Sequence, residues 1–184
     1  MVVYSASEFR SLPNFHNLTQ GINRLSSEVF DHMVVNDNVG MSLNENGYIG
    51  YLTMDNMIVA CGFAGEDTFN DTSKYKTLYI HSFGVHRDYR GKGLCQQIVK
   101  EFIQKFGRNH ILYLTVRTES GNVNESAIRC YQKNDFIMLP EVYRDHDDGK
   151  NSAMIRLPTT NRNKNKSGKI KKKKKEKKKT NRRN

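Results

Sequence analysis

From Tyr48 onward the apolar positions fall into short runs whose spacing alternates between strand and helix periods. Tyr48 to Leu52 and Asn56 to Ala64 each predict a strand, and the polar turn Met54-Asp55-Asn56 makes them a hairpin. Glu66 to Ser73 reads as a polar loop, and Thr77 to Val85 as a third, longer strand. Between Leu94 and Phe106 the apolar residues are Leu94, Ile98, Val99, Phe102, Ile103 and Phe106, which is a helical period. Ile111 to Val116 is almost continuously apolar, as a strand buried on both faces requires. Glu125 to Lys133 predicts a second helix with Asn124 as its N-cap, and Ala153 to Leu157 a last strand. A weaker pattern from Phe15 to Val35 predicts one or two helices. A hairpin leading into strand–helix–strand–helix predicts an α/β fold, a mixed sheet with helices on its faces.

Charge changes this picture at one end of the chain. The 184 residues carry a formal net charge of +11, which by itself suggests a nucleic-acid-binding protein. Yet residues 158–184 hold 11 Lys and 3 Arg against one Glu, a net of +13, while residues 1–157 sum to −2. We therefore expect a near-neutral folded domain over 1–157 and a Lys-rich, disordered tail over 158–184, too polar and self-repelling to order itself. Such a tail can neutralise phosphates without reading sequence, contact an acidic protein, act as a nuclear-localisation signal or solubilise the chain. Its Lys and Asn both use AT-rich codons, so genome composition is a further source of the bias.

Other function classes are excluded by what the chain lacks. No apolar run approaches the ~18 residues of a membrane-spanning helix, and Met1 to Ser5 does not open a secretory signal. Cys61, Cys95 and Cys130 are odd in number, far apart and without a CxxC pair, so neither a structural metal site nor a disulfide framework is expected. Cys95 and Cys130 read as small fillers on helices. An intracellular location, cytoplasmic or nuclear, follows as the expectation.

The informative chemistry begins where the third strand meets the first clear helix, at Arg90-Gly91-Lys92-Gly93-Leu94-Cys95. Glycines allow close backbone approach, and the free N–H groups of a helix's first turn point at an anion; Arg90 and Lys92 add positive charge. The pattern is neither GxxxxGK[ST] nor GxGxxG, so it suits a pyrophosphate without being either nucleotide fingerprint. Read alone, it is equally an ordinary glycine turn with exposed charges.

These residues resemble the acetyl-CoA-binding motif of the GCN5-related N-acetyltransferases (GNAT), whose Arg/Gln-x-x-Gly-x-Gly/Ala pattern falls on Arg90, Gly93 and Cys95. A second stretch, Asn124 to Phe136, is similar to the family's Asn-x-x-Ala-x-x-x-Tyr-x-Lys-x-Gly-Phe, with Asp135 in place of the usual Gly. The resemblance implies a GNAT fold of about six or seven strands and direct transfer of an acetyl group from acetyl-CoA to an amine. It implies that Phe83, Gly84 and Val85 contribute backbone groups to the cofactor, that Arg90, Gly91, Lys92, Gly93, Leu94 and Cys95 cradle its pyrophosphate, and that Asn124 and Tyr131 lie beside it. In the family a tyrosine at the position of Tyr131 protonates the departing thiolate; the alternative is that Tyr131 packs against the sheet. His81 occupies a position where arylalkylamine acetyltransferases carry His and others carry Glu. It is a candidate base for the amine or else a structural histidine at the sheet surface. His86 reads as exposed and incidental. Glu66, Asp67, Asp71, Asp145, Asp147 and Asp148 would draw a cationic amine if their loops flank the acceptor, and are otherwise solvated charge. The expected acceptor is a small primary amine (polyamine, arylalkylamine or amino sugar). The alternatives are a protein lysine or N-terminus reached through the basic tail, and a non-catalytic module whose tail binds nucleic acid. A homodimer is compatible with the family, and no metal is expected.

Overall fold

The computed structural model describes residues 2–29, 47–67, 75–119, 122–140 and 151–159. Its first two elements were not anticipated. Strand β1 (Val2–Ser5) runs into the short helix α1 (Ala6–Arg10). Ser5 Oγ accepts the Glu8 N–H, and Glu8 Oε2 accepts the Ser5 N–H at 2.6 Å. That reciprocal cap is written in the sequence as Ser-x-x-Glu and satisfies two helix-end donors at once. Helix α2 (Phe15–Val29) follows and buries Leu18, Ile22 and Leu25 on one side. The rest of the expected helical region, up to Val35, lies outside the described residues.

The hairpin forms between β2 (Gly47–Met54) and β3 (Met57–Asp67). Asp55 and Asn56 at its tip have φ of 52° and 61°, left-handed values that these two residue types tolerate and that a tight two-residue hairpin turn requires. β3 runs further than expected, taking in Glu66 and Asp67, because they pair with Leu78 and Thr77 of β4 (Lys76–Val85). A short 3-10 turn, Arg87–Tyr89, leads to helix α3 (Leu94–Phe106), then β5 (His110–Glu119), β6 (Asn122–Val123), α4 (Glu125–Gln132), β7 (Ile137–Met138) and β8 (Asn151–Arg156). Asp135, after α4, has φ of 65°, which explains why the related motif has glycine there. The strands lie in the order β1-β2-β3-β4-β5-β8-β7, with β6 pairing beside β5. Of the pairings among the described residues, only β4 with β5 is parallel. The expected mixed α/β sheet is the one observed. The expected tail lies almost wholly outside the described residues, which end at Thr159.

Two hydrophobic clusters cover the two faces of the sheet. Ile98, Val99, Phe102 and Phe106 of α3 pack with Cys130 and Tyr131 of α4 onto Leu78, Ile80, Leu112, Leu114 and Met154. On the opposite face, Phe9 of α1 and Leu18, Ile22 and Leu25 of α2 pack onto Ile49, Cys61 and Phe63. β5 therefore contributes Leu112, Leu114 and Val116 to one face while its neighbours face the other, and the apolar run resolves into a strand covered on both sides.

Gly62 of β3 lies directly beneath the ring of Phe83 from β4. A Cβ there would enter the ring of Phe83 and lie 3.2 Å from Ile98 Cγ2. Gly62→Ala is expected to lower stability by about 1–3 kcal/mol through overpacking. At Gly65 an added Cβ meets nothing within 4 Å, and Gly65→Ala should stay within about 0.5 kcal/mol of wild type. Urea denaturation of both variants checks the pair; equal effects would remove the close-packing account of Gly62.

Candidate active site

β4 and β5 pair from Lys76↔His110 to Ile80↔Leu114 and then part. Beyond that point β4 pairs only with β3, through Cys61↔Gly84 and Ala60↔Val85, while β5 keeps β8, its partner on the other side from Leu112↔Arg156 to Arg117↔Asn151. Ser82 marks the divergence. Its φ is 52°, unusual for a residue with a Cβ, and the β3–β4 register shifts between Cys61 and Phe63 at the same level. Two residues of β4 face one of β3, which is a β-bulge, and bulges bend the strand that carries them. A slot therefore opens between the two central strands, with the β4 backbone from Ser82 to Val85 along one side.

The bulge also re-aims side chains. Strict alternation would place His81, Phe83 and Val85 on one face. Instead Phe83 meets Phe102 of α3 edge-to-face and Tyr131 of α4 at a tilt, with ring centroids 5.8 and 6.0 Å apart. His81 turns to the α2 face, where it lies between Phe63 (5.9 Å, 20° between planes) and Tyr79 (5.5 Å, 24°). Tyr79 in turn contacts the ring of Tyr113 and shares a 2.8 Å hydrogen bond with Thr115 Oγ1 across the two central strands. Phe63 and Tyr79 had no role in the sequence reading. Tyr79 is two positions from His81 and visible in retrospect, but Phe63 needs the β3–β4 register.

The two candidate catalytic side chains thus sit on opposite faces of the sheet. His81 is half-buried, and burial holds its pKa below the ordinary 6.5, so it is neutral at pH 7. Its Nδ1 lies 3.2 Å from Ser82 Oγ. With Nδ1–H donating to that hydroxyl, Nε2 carries the lone pair. Tyr131 is 6% exposed, and desolvation drives its phenol well above the usual 10, so it keeps its proton and is a donor throughout the physiological range. Cys61, at the core of the sheet, is pushed up to about 12 by burial and is chemically inert.

At the mouth of the slot, Gly91 and Gly93 have φ of 76° and 78°, and Gly93 caps α3 without a side-chain hydrogen bond. No acidic residue lies in the first turn of α3. The N–H groups of that turn are left to an external acceptor, beside Arg90 and Lys92. Arg90 Nε donates to Val85 O at 3.2 Å, and Lys92 Nζ rests 4.5 Å over the Tyr89 ring. Tyr89 donates to Asp55 Oδ2 at 3.3 Å, tying the loop to the hairpin tip. These residues fit a pyrophosphate. Asn124 caps α4, with Oδ1 accepting the Ala127 N–H at 3.0 Å.

Three expectations need correction. Cys95 and Cys130 are joined in a disulfide, with Cα atoms 6.6 Å apart. Their separation of 35 residues hid the pair, because only the return of the chain through β5 brings α4 alongside α3. His86 is not incidental: its Nδ1 accepts the Asp88 N–H at 3.3 Å, and its Nε2 is 3.2 Å from Glu28 of α2. Glu66 is engaged with Lys76 at 3.1 Å. Asp71, Asp145, Asp147 and Asp148 lie outside the described residues. A cavity of about 690 Å³ between α2 and the hairpin tip has Arg24, Glu28 and His86 on its wall but touches neither His81 nor Tyr131.

A slot between splayed parallel strands, with an uncapped helix start and two cations at its mouth, suits an extended ligand that ends in an anion. The family model described as the acetyltransferase (GNAT) family matches residues 18–136, and the chain belongs to that family. It is an acetyl-CoA-dependent N-acetyltransferase, an acyltransferase by class. No curated protein sequence matches the chain. Among solved structures, the fold is similar to the aminoglycoside 6′-N-acetyltransferase from Enterococcus faecium, with a TM-score of 0.66 and 12% identity over 87% of this chain and 98% of that one. It is also similar to the ribosomal-protein-S18-alanine N-acetyltransferase from Escherichia coli (0.59, 17%, 86% and 94%). A third is Naa50 of Arabidopsis thaliana in complex with the bisubstrate analogue CoA-Ac-MVNAL (0.55, 20%, 76% and 91%).

Because His81 has a lowered pKa in the folded state, the unfolded chain binds more protons just below pH 6.5. Its contribution to stability is complete above about pH 6.5 and is lost as the pH falls through the folded-state pKa. Urea denaturation between pH 5 and 8 should show a steeper acid-side loss for wild type than for His81→Gln. Parallel profiles would contradict the buried, neutral imidazole.

Proposed function

We propose that the chain acetylates an unhindered primary amine of a small molecule, with His81 and Tyr131 acting from opposite faces of the sheet. The observation that carries this reading is the pair itself: a neutral imidazole and a protonated phenol on either side of the slot between β4 and β5. Acetyl-CoA supplies the activated acetyl group. Phe83, Gly84 and Val85 present backbone groups along the slot, and Arg90, Gly91, Lys92, Gly93, Leu94 and Cys95 hold the pyrophosphate at the start of α3. His81 Nε2 takes a proton from the incoming ammonium, directly or through water, since only the neutral amine attacks. Tyr131 donates to the departing sulfur. Asn124 keeps α4 in register through its cap.

The acceptor must reach an imidazole wedged between Phe63 and Tyr79, which favours a slender amine with an apolar or aromatic flank. The highest TM-score quoted above, 0.66, belongs to an enzyme named for an aminoglycoside, which supports the same side. A second reading, the α-amine of an extended peptide, is favoured by the apolar wall and by the 20% identity to Naa50 and to the NatC complex bound to Gag peptide and CoA. The Lys-rich tail over 158–184 would then act as an address for acidic or nucleic-acid partners, and the domain over 1–157 as the enzyme.

Tyr131→Phe is expected to lower kcat by about 10²–10⁴-fold while the Kd for acetyl-CoA changes less than threefold. An unchanged kcat would remove Tyr131 from its role. Thiol release measured across arylalkylamines, polyamines, amino sugars and N-terminal peptides decides the acceptor. Arylalkylamines should give the highest kcat/KM; peptides leading would select the second reading.

A further inference from the structure

We propose that Cys95 and Cys130 form a reversible redox pair that controls how the helix carrying Tyr131 is held against the cofactor cradle, an inference that rests on the acetyl-transfer reading above. Cys95 is the second residue of α3, within the turn whose N–H groups no side chain caps. Cys130 lies in the last turn of α4, next to Tyr131. The bond therefore joins the two elements the reaction needs, the pyrophosphate-binding turn and the platform of the proton donor. α4 is only eight residues long and contributes Cys130 and Tyr131 as its buried residues. Its other anchors include the Asn134 Nδ2 donation to Cys130 O at 2.9 Å, the contacts of Tyr131 with Phe83 and Phe136, and the packing of Ala127 and Ile128 against the core. A covalent tie at Cys130 adds a fixed point beside the buried ring of Tyr131.

The chemistry is asymmetric. Cys130 is buried at 7% exposure, whereas Cys95 is partly exposed at the helix start. The N–H groups there stabilise negative charge on the attacking sulfur, so Cys95 is the entry point for exchange. With glutathione disulfide as the oxidant, the Cys95 thiolate attacks one of its sulfurs, forming a mixed disulfide and releasing one glutathione thiolate. The Cys130 thiolate then attacks Cys95 Sγ, closing the protein disulfide and releasing the second glutathione. The two protons from the cysteines end on the two glutathione thiols, and two electrons pass from the cysteine pair to the oxidant. A dithiol such as dithiothreitol reverses both steps.

Two consequences follow. Reduction loosens α4 and lowers turnover, while the glycine turn, held by α3 itself, keeps acetyl-CoA binding nearly intact. Acetyl-CoA seated on the first turn of α3 shields Cys95, so it slows reduction. By linkage, reduction weakens acetyl-CoA binding only to the extent that acetyl-CoA favours the oxidised form.

Full-length protein is equilibrated with glutathione disulfide or with dithiothreitol, and the thiols are counted under denaturing conditions. One thiol, Cys61, is expected in the oxidised form and three in the reduced form. Reduction should lower kcat about tenfold with less than a threefold change in the Kd for acetyl-CoA. Cys130→Ser should match reduced wild type and ignore dithiothreitol. Saturating acetyl-CoA should slow reduction by dithiothreitol at least fivefold, measured by alkylation and mass. Three thiols after oxidation, equal kcat in the two states, or reduction at the same rate with and without acetyl-CoA would overturn the proposal. A reversible bond shielded by acetyl-CoA, with no amine acetylated in either state, would instead count against the acetyl-transfer reading and leave the redox pair standing.

Discussion

The parting of β4 from β5 after Ile80 and Leu114 is the constraint on which the site depends. A continuous parallel pair would fill its own hydrogen bonds and leave no entry for an extended ligand. The bulge at Ser82 prevents this by bending β4, which stays paired to β3, while β5 stays paired to β8 on its far side. The same bulge sends His81 to one face and Phe83 to the other. One strained residue thus creates the slot and distributes the side chains around it, which is a common use of backbone strain at functional sites.

The two hydrophobic clusters act as separate supports for the two side chains proposed to do the chemistry. The α3 and α4 cluster desolvates Tyr131 and holds it beside Phe83, which keeps the phenol protonated. The α1 and α2 cluster includes Phe63, on which His81 rests, and partial burial there keeps the imidazole neutral. The phenol and the imidazole are separated by the sheet, so neither perturbs the other directly, and each takes its protonation state from burial.

The polar contacts around the glycine turn serve position more than stability. Arg90 on the Val85 carbonyl, Tyr89 on Asp55 and His86 against Glu28 join the cradle loop to β4, to the hairpin tip and to α2. Each is an exposed or partly exposed contact of small individual worth. Together they fix the loop that leads into the start of α3, and the disulfide from Cys95 carries that fixation across to α4.

The sequence by itself determined the longer elements from the hairpin onward (β2 to β5, α3, α4 and β8, but not the two-residue β6 and β7), the glycine turn, the cap at Asn124 and the left-handed position at Asp135, because each depends on neighbours a few residues apart. The matched motifs made the family legible from Arg90 to Phe136. β1 and α1 were readable in principle from the Ser-x-x-Glu box but are too short for periodicity to reveal. Only the tertiary structure decided that β4 bulges at Ser82, that Phe63 and Tyr79 enclose His81, and that Cys95 meets Cys130. Those facts depend on strand register and on helices brought together across tens of residues, and register is set by packing over the whole sheet rather than by any local pattern.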